Sequence, residues 1–230
     1  MDRQEFGRRL AEAARGMSGT RGTADTLQRI AAMAVDLIDS CDVAGVCVLR
    51  PNRNDTCAHT DGALQVMDDL QHDLAEGPSM GGPSTADVIS IGDLARDAPW
   101  PRWASEVVGR TGVRAYLGFR LFVEDDSIGL LNLYAYEPDA FDHEDQLDGL
   151  VAAAHASVAL SATVRHDQMH TALTSRQLIG EATGILRERF ALSTDQAFAV
   201  LKRLSSQQNI KLFAVAQHVV ETGTLPGSAP

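Results

Sequence analysis

The sequence predicts an α+β chain: an antiparallel sheet flanked by helices, then a long connecting helix, then a small three-helix bundle. Three observations predict it. Two apolar runs, Ala115–Val123 and Ile128–Tyr136, are joined by the turn Glu124-Asp125-Asp126-Ser127 and read as an antiparallel hairpin. Upstream of them, strand and helix patterns mix without regular alternation. Beyond Thr171 the periodicity is helical only.

Taken in order, residues 1–22 are rich in Arg and Glu and read as a helical extension, with no apolar signal-peptide stretch. Leu27, Ile30, Ala31, Ala34, Leu37 and Ile38 recur at helical spacing, so a helix is expected over Asp25–Ile38. Val43–Leu49, dense in Val, reads as a central strand, with a second strand over Cys57–Thr60. A short helix over Leu64–Leu74 leads to the loop Gly77–Ser84, marked by its Gly and Pro content. A strand at Val88–Ile91 and a helix at Trp103–Arg110 precede the hairpin. Asp142 or an acidic neighbour is placed to cap a helix from about Glu144 to at least Arg165. Its stripe of Leu147, Leu150, Val151, Ala154, Val158, Ser161 and Val164 suits both a sheet and a two-chain seam. The first half is expected to face inward and the rest to pair two copies, giving a homodimer through the helix around 144–172.

After Thr171 three short helices are expected. The first carries Leu178, Ile179, Ala182, Ile185, Leu186 and Phe190 on its apolar side. The second opens with a capping box at Ser193 and buries Ala197, Val200, Leu201 and Leu204. The third starts near Asn209, a cap residue, and buries Leu212, Val215, Ala216 and Val219. The tail Gly223–Pro230 reads as disordered. The boundaries drawn are therefore 1–22 for the extension, 23–163 and 164–222 for two domains, and 223–230 for the tail.

Composition narrows the function. With 230 residues, 44% hydrophobic content and a mean hydropathy of −0.11, the chain lies in the globular range. No run approaches the roughly 18 consecutive apolar residues of a membrane span, so a cytoplasmic protein without a membrane partner is expected. Cys41, Cys47 and Cys57 form no CxxC pair and read as reduced thiols. A formal charge of −11 argues at first sight against nucleic acid. The charge is uneven, however. Met1–Thr171 holds 14 Arg, no Lys and 27 acids, a charge of −13, whereas Ala172–Pro230 carries +2. That asymmetry points to a nucleic-acid-facing module beside an acidic one.

No motif for a nucleophile elbow, a phosphate loop, a zinc protease or a calcium loop is present. His166 and His170 are four residues apart but lack a third ligand, so no metal site is expected. Asp68-Asp69 and Asp125-Asp126 read as surface and turn, not as an acid and base pair. No catalytic residue is assigned, and the chain is read as a non-enzyme with its cofactor unknown. More telling is the first C-terminal helix, where Arg176, Gly180, Thr183 and Arg187 share one face. Two guanidinium groups flanking small side chains admit a phosphate backbone closely. Lys202, Arg203 and Lys211 extend this patch from the other two helices.

The run LTSRQLIGEATGILRERF at Leu173–Phe190, followed by STDQAFAVLKRLSSQQNIKL at Ser193–Leu212, closely resembles the ANTAR domain. The N-terminal part resembles a GAF domain in AEGPS at Ala75–Ser79, IGDL at Ile91–Leu94, WPRW at Trp100–Trp103 and IGLLNLY at Ile128–Tyr134. The ANTAR resemblance implies a three-helix RNA-binding module of bacterial transcription antiterminators. Paired RNA stem-loops are its implied partner, and signals sensed by the GAF domain are implied to act through dimer geometry. On the matching positions it implies RNA contacts at Arg176 and Lys211, core roles for Ala182 and Ile185, and close packing at Gly184. Three positions depart from it: Thr183, Ile210 and Phe213 stand where basic residues are usual. The GAF resemblance implies a small-molecule pocket, expected around Glu76, Ser79, Trp100, Trp103 and Tyr116. Ser79 replaces a common Cys there, which argues against covalent chromophore or redox chemistry. A reductase of the GAF fold would need two thiols in one pocket, and Cys47 sits in an apolar strand run. The alternative kept open is a GAF sensor whose ANTAR bundle serves dimerisation or protein docking.

Overall fold

The computed structural model describes residues 2–17, 22–50, 53–80, 87–123 and 126–226; for 49, 50, 53–57, 123, 126–128 and 168 it describes the backbone alone. The chain forms two units, Met1–Val164 and Arg165–Pro230.

The first unit contains α1 (Arg3–Met17), α2 (Thr23–Leu37), β1 (Val43–Arg50), β2 (Arg53–His59), α3 (Ala63–Leu74), β3 (Val88–Ile91), α4 (Leu94–Asp97), α5 (Pro101–Thr111), β4 (Ala115–Val123) and β5 (Asp126–Ala135). It also holds the start of α6 (His143–Phe190). The strands form one sheet in the order β2-β1-β5-β4-β3, with every pair antiparallel. Period-2 alternation gives each face its own core. Ala44, Val46, Leu117, Phe119, Leu121, Leu131 and Leu133 pack with α1, α2 and α6. Val43, Tyr116 and Tyr134 face the opposite way and pack with α3, α4 and α5. A sheet covered on both faces accounts for strands that are apolar at nearly every position.

Local signals explain most element ends. Pro101 supplies the fixed φ favoured at the first turn of α5, and Gly112 closes that helix at φ 77°. Asp142 and Asp145 exchange side-chain and backbone hydrogen bonds of 2.9 and 3.1 Å, a reciprocal cap that starts α6 at His143. The expected second strand begins at Arg53 rather than Cys57, and the short helix α4 was not anticipated. Asp93 caps α4 by accepting the Ala95 N–H at 3.0 Å. Of the loop Gly77–Ser84, residues 81–84 lie outside the described set, as do Glu124 and Asp125 of the hairpin turn.

α6 differs most from expectation. The first half of its stripe does not face inward: Leu147, Leu150 and Val151 are exposed; in the second half, expected to face a second copy, Val158 is 72% exposed but Val164 packs against the first core. The inward face is made of Ala152, Ala153, Ala156 and Leu160. The reason is proximity. At Gly149 a Cβ would collide with the Phe119 ring, so the helix lies too close to β4 for large side chains. An 18-residue stretch of α6 has a mean hydropathy of 1.4, which matches a membrane span by length and composition only, as the core helix of a globular domain also does. In this fold its alanine face is part of the first core.

α6 also runs to Phe190 without a break, so the expected connecting helix and first bundle helix are one element. Residues 165–172 contain neither Pro nor Gly to stop it. The second unit consists of the end of α6 with α7 (Thr194–Gln208) and α8 (Leu212–Thr222). Its core is Ala182, Leu186, Ala197, Leu201, Val215, Ala216 and Val219. Both halves of the Ser193–Gln196 capping box are present. Asn209 is not the start of α8; it ends α7 in the left-handed region at φ 52°, and Lys211 occupies the N-cap of α8. Within the expected tail, Leu225 packs against the third core, and residues 227–230 lie outside the described set.

Asp93 is 1% exposed and is gripped by Arg114 at 2.8 and 3.0 Å and by Arg96 at 2.8 Å. Hydrogen bonding from Arg114 holds its carboxyl down at about 2. A carboxylate depressed below its unfolded value of about 3.9 stabilises the fold above that pH and loses the contribution as pH falls toward its folded value. Thermal melts from pH 6 to pH 2 are therefore expected to fall more steeply below pH 4 for the parent chain than for Asp93→Asn, whose melting temperature starts lower and varies less with acid.

Candidate functional site

On the α3/α5 side of the sheet a buried polar cluster sits among aromatic rings. Trp100 and Trp103 meet edge-on at 6.0 Å, Trp100 and Tyr116 at 6.4 Å, and Tyr116 and Tyr134 tilt together at 5.2 Å. The Tyr116 hydroxyl donates to Asn132 Oδ1 at 2.9 Å. Asn132 Nδ2 approaches Cys47 Sγ at 3.7 Å, and Ser79 Oγ donates to the same sulfur at 3.4 Å. Gln71 links the loop to α3: its Oε1 accepts the Ser79 N–H at 2.8 Å, and its Nε2 donates to Asp68 Oδ1 at 3.1 Å. Burial pushes the Tyr116 and Tyr134 hydroxyls well above their ordinary range, so both stay protonated. The Trp100 indole N–H is buried without a hydrogen-bond partner among the described residues.

Ser79, Trp100, Trp103 and Tyr116, four of the five residues expected around a pocket, are buried in and around this cluster, and Glu76 adjoins it through α5. Glu76 does not point at a ligand. Its carboxylate accepts the Arg102 and Trp103 backbone N–H groups at 3.0 and 3.3 Å, capping α5 from a neighbouring loop. Trp103 Nε1 donates to the Met67 carbonyl at 3.0 Å, which locks α5 onto α3. These bonds are the physical content of the AEGPS and WPRW motifs. Cys47, Asp68, Gln71 and Asn132 were missed by sequence reasoning. Asn132 was findable, because it interrupts IGLLNLY at a position whose period-2 neighbours are apolar. Two cavities of this unit lie elsewhere: about 580 Å³ bordered by Arg8, Glu12, Met33 and Asp36, and about 190 Å³ bordered by Leu94, Arg96 and Ser105. Burial raises the Cys41 thiol to about 12, which leaves it unreactive.

In the second unit, Arg176, Gly180, Arg187, Lys202, Arg203 and Lys211 are exposed. Thr183 is not. It is 7% exposed, and its hydroxyl donates to the Ile179 carbonyl at 2.6 Å. It lies one turn from Ile179 and Leu186, so the helix face drawn through it borders the core and cannot offer it to a ligand. Gly184 is not a close-packing position either: a Cβ there, as at Gly180, would meet open space. Ala182 and Ile185 do pack in the third core. Arg8, Arg9, Arg29, Arg96, Arg102, Arg110 and Arg114 of the first unit all have carboxylate partners. Among the described residues, Arg176, Arg187, Lys202, Arg203 and Lys211 form no ion pair.

The model of the GAF domain matches residues 20–161, more than half of the chain. The chain belongs to the GAF domain family. The ANTAR domain model matches residues 167–220, which completes a GAF-ANTAR architecture. Comparison with curated proteins finds none that matches. Solved structures share the GAF fold at low identity. The GAF domain from Acinetobacter phosphoenolpyruvate-protein phosphotransferase is 14% identical over 70% of this chain and 95% of its own, with a TM-score of 0.56. Its counterpart from Coxiella burnetii is 12% identical over 75% and 99%, at 0.54. The chromophore-binding domain of the bacteriophytochrome RpBphP3 from R. palustris is 11% identical at 0.52, over 72% of this chain and 64% of its own length. The two domains together make the chain a sensor-regulated ANTAR regulator.

Tyr116→Phe leaves Asn132 Oδ1 buried without its donor, which costs about 1–3 kcal/mol. Urea denaturation is expected to show that loss as a lower midpoint for the GAF domain.

Proposed function

We propose that this chain is a signal-responsive transcription antitermination regulator, binding RNA stem-loops through its ANTAR domain under the control of its GAF domain. The observation that carries the reading is that Arg176, Arg187, Lys202, Arg203 and Lys211 of the ANTAR domain are exposed and, among the described residues, form no ion pair. Cations already paired with carboxylates gain little from phosphate, whereas unpaired ones release counterions from RNA on binding. Holding a hairpin in place keeps its strands from joining a terminator. No step of this mechanism needs catalysis, and it operates in the cytoplasm, where transcripts are made.

Two copies act together. The exposed residues Leu147, Val151, Ala154 and Val158 repeat at spacings of four and three, the pattern of a two-chain helical seam. The sensor input is a small molecule that displaces part of the Tyr116–Asn132–Cys47 cluster and alters α6, which runs on into the ANTAR domain. Val158→Glu places a charge in that seam, and light scattering is expected to show its mass fall from dimer to monomer.

The decisive measurement is a salt titration of binding to a two-hairpin RNA. Arg176→Ala and Lys211→Ala are each expected to weaken binding and to flatten the log-log salt slope by about 0.7–0.9. A parent chain that binds the hairpins no better than generic RNA, unmoved by either substitution, would sink this reading in favour of an ANTAR domain used for protein docking.

A further inference from the structure

The corner between α7 and α8 holds bulky apolar side chains in water on a fixed backbone. The Asn209 and Ile210 N–H groups both donate to the Ser205 carbonyl, and Ser205 Oγ donates to the Ile210 carbonyl at 2.7 Å. Three hydrogen bonds around one serine leave this turn little freedom, so a partner meets it already ordered. From it project Ile210, 38% exposed, and Phe213, 37% exposed, with exposed Lys211 between them. A core of seven buried residues lies one turn away, yet these two side chains stay outside it.

The surrounding charge says what kind of surface would cover them. Between Asp195 and Glu221 there is no acidic residue, while Lys202, Arg203 and Lys211 all fall in that stretch. Lys202 lies two turns before Asn209 on the same face of α7. Two exposed apolar side chains in a stretch that carries three cations and no acid suit a polyanion that also offers flat apolar faces. Unpaired nucleic-acid bases have that chemistry: their rings stack on aromatic side chains while their phosphates meet lysines.

We propose that the α7–α8 corner is a base-stacking platform for the unpaired loop of an RNA hairpin. Phe213 stacks on one base, Ile210 packs against its edge, and Lys211 holds the adjoining phosphate. This rests on the RNA-binding reading and deepens it. At Ile210 and Phe213, where the ANTAR resemblance leads one to expect basic residues, the chain exchanges phosphate contacts for base contacts and so reads the loop in preference to the stem.

The test uses the full-length protein and two probes. One is an RNA of two hairpins with adenine loops, one loop base replaced by 2-aminopurine. The other is the same stem sequence as a continuous duplex without loops. The parent chain is expected to prefer the hairpins and to change the 2-aminopurine fluorescence. Phe213→Ala and Phe213→Leu should each weaken hairpin binding about tenfold, since stacking contributes about 1–3 kcal/mol per base. Both should abolish the fluorescence change and leave the salt slope and duplex binding as they were, and Phe213→Trp should restore both the hairpin affinity and the fluorescence change. Circular dichroism melts identify any loss that comes from unfolding, and the leucine variant keeps most of the apolar volume. If both variants bind the hairpins like the parent, or lose hairpin and duplex affinity equally, the platform is overturned while RNA binding by the parent stands. If the parent shows no preference for hairpins over duplex and Lys211→Ala changes nothing, the RNA-binding reading falls and the platform with it, leaving the corner as a protein-docking surface.

Discussion

The closeness of α6 to the sheet governs much of what the rest of the chain can do. Gly149 lies against the Phe119 ring, and Ala152, Ala153 and Ala156 follow on the same side. Small residues inward leave the large apolar ones no place but outward, which is why Leu147, Leu150, Val151 and Val158 meet solvent. A larger side chain at 149 would push the helix off β4 and open a void along the row of alanines, a double loss of packing. One steric constraint thus sets both the density of the first core and the composition of the exposed stripe.

On the opposite face of the sheet the governing interaction is polar. Gln71, Ser79, Asn132 and Tyr116 are buried, and hydrogen bonds between loop, α3 and strands make that burial tolerable. Glu76 and Trp103 complete the joint by tying the same loop to α5 and α5 to α3. The GAF domain is therefore held on one side by shape and on the other by a network whose members depend on one another. Networks of this kind resist small perturbations and yield when a molecule replaces several bonds at once.

Much of the architecture was legible in the sequence because it rests on periodicity and local caps. The strands β1, β3, β4 and β5, the helices α2 and α3, and the Ser193 box all follow from such signals. The misreadings share a different origin. Inward and outward faces of α6 are decided by how near the sheet comes, and a stripe of seven apolar or small residues cannot show which side wins. Thr183 lies at the edge of a face by helical geometry and is buried by neighbours from other helices. Asn209 has a residue type suited to either end of a helix, and the following Ile210-Lys211 decides that it ends one. The ring cluster around Tyr116 was anticipated by its members, but only three-dimensional packing reveals that Glu76 is committed to a helix end.

The bond that Tyr116 and Asn132 make to each other sets what could replace it. A molecule that enters the cluster must offer an acceptor to the Tyr116 hydroxyl and a donor to Asn132 Oδ1, because each group left bare is penalised by about 1–3 kcal/mol. In the sensor reading proposed above, a purely apolar molecule loses the bonds it cannot replace, while one that also accepts from the Trp100 indole N–H, unpartnered among the described residues, gains a bond.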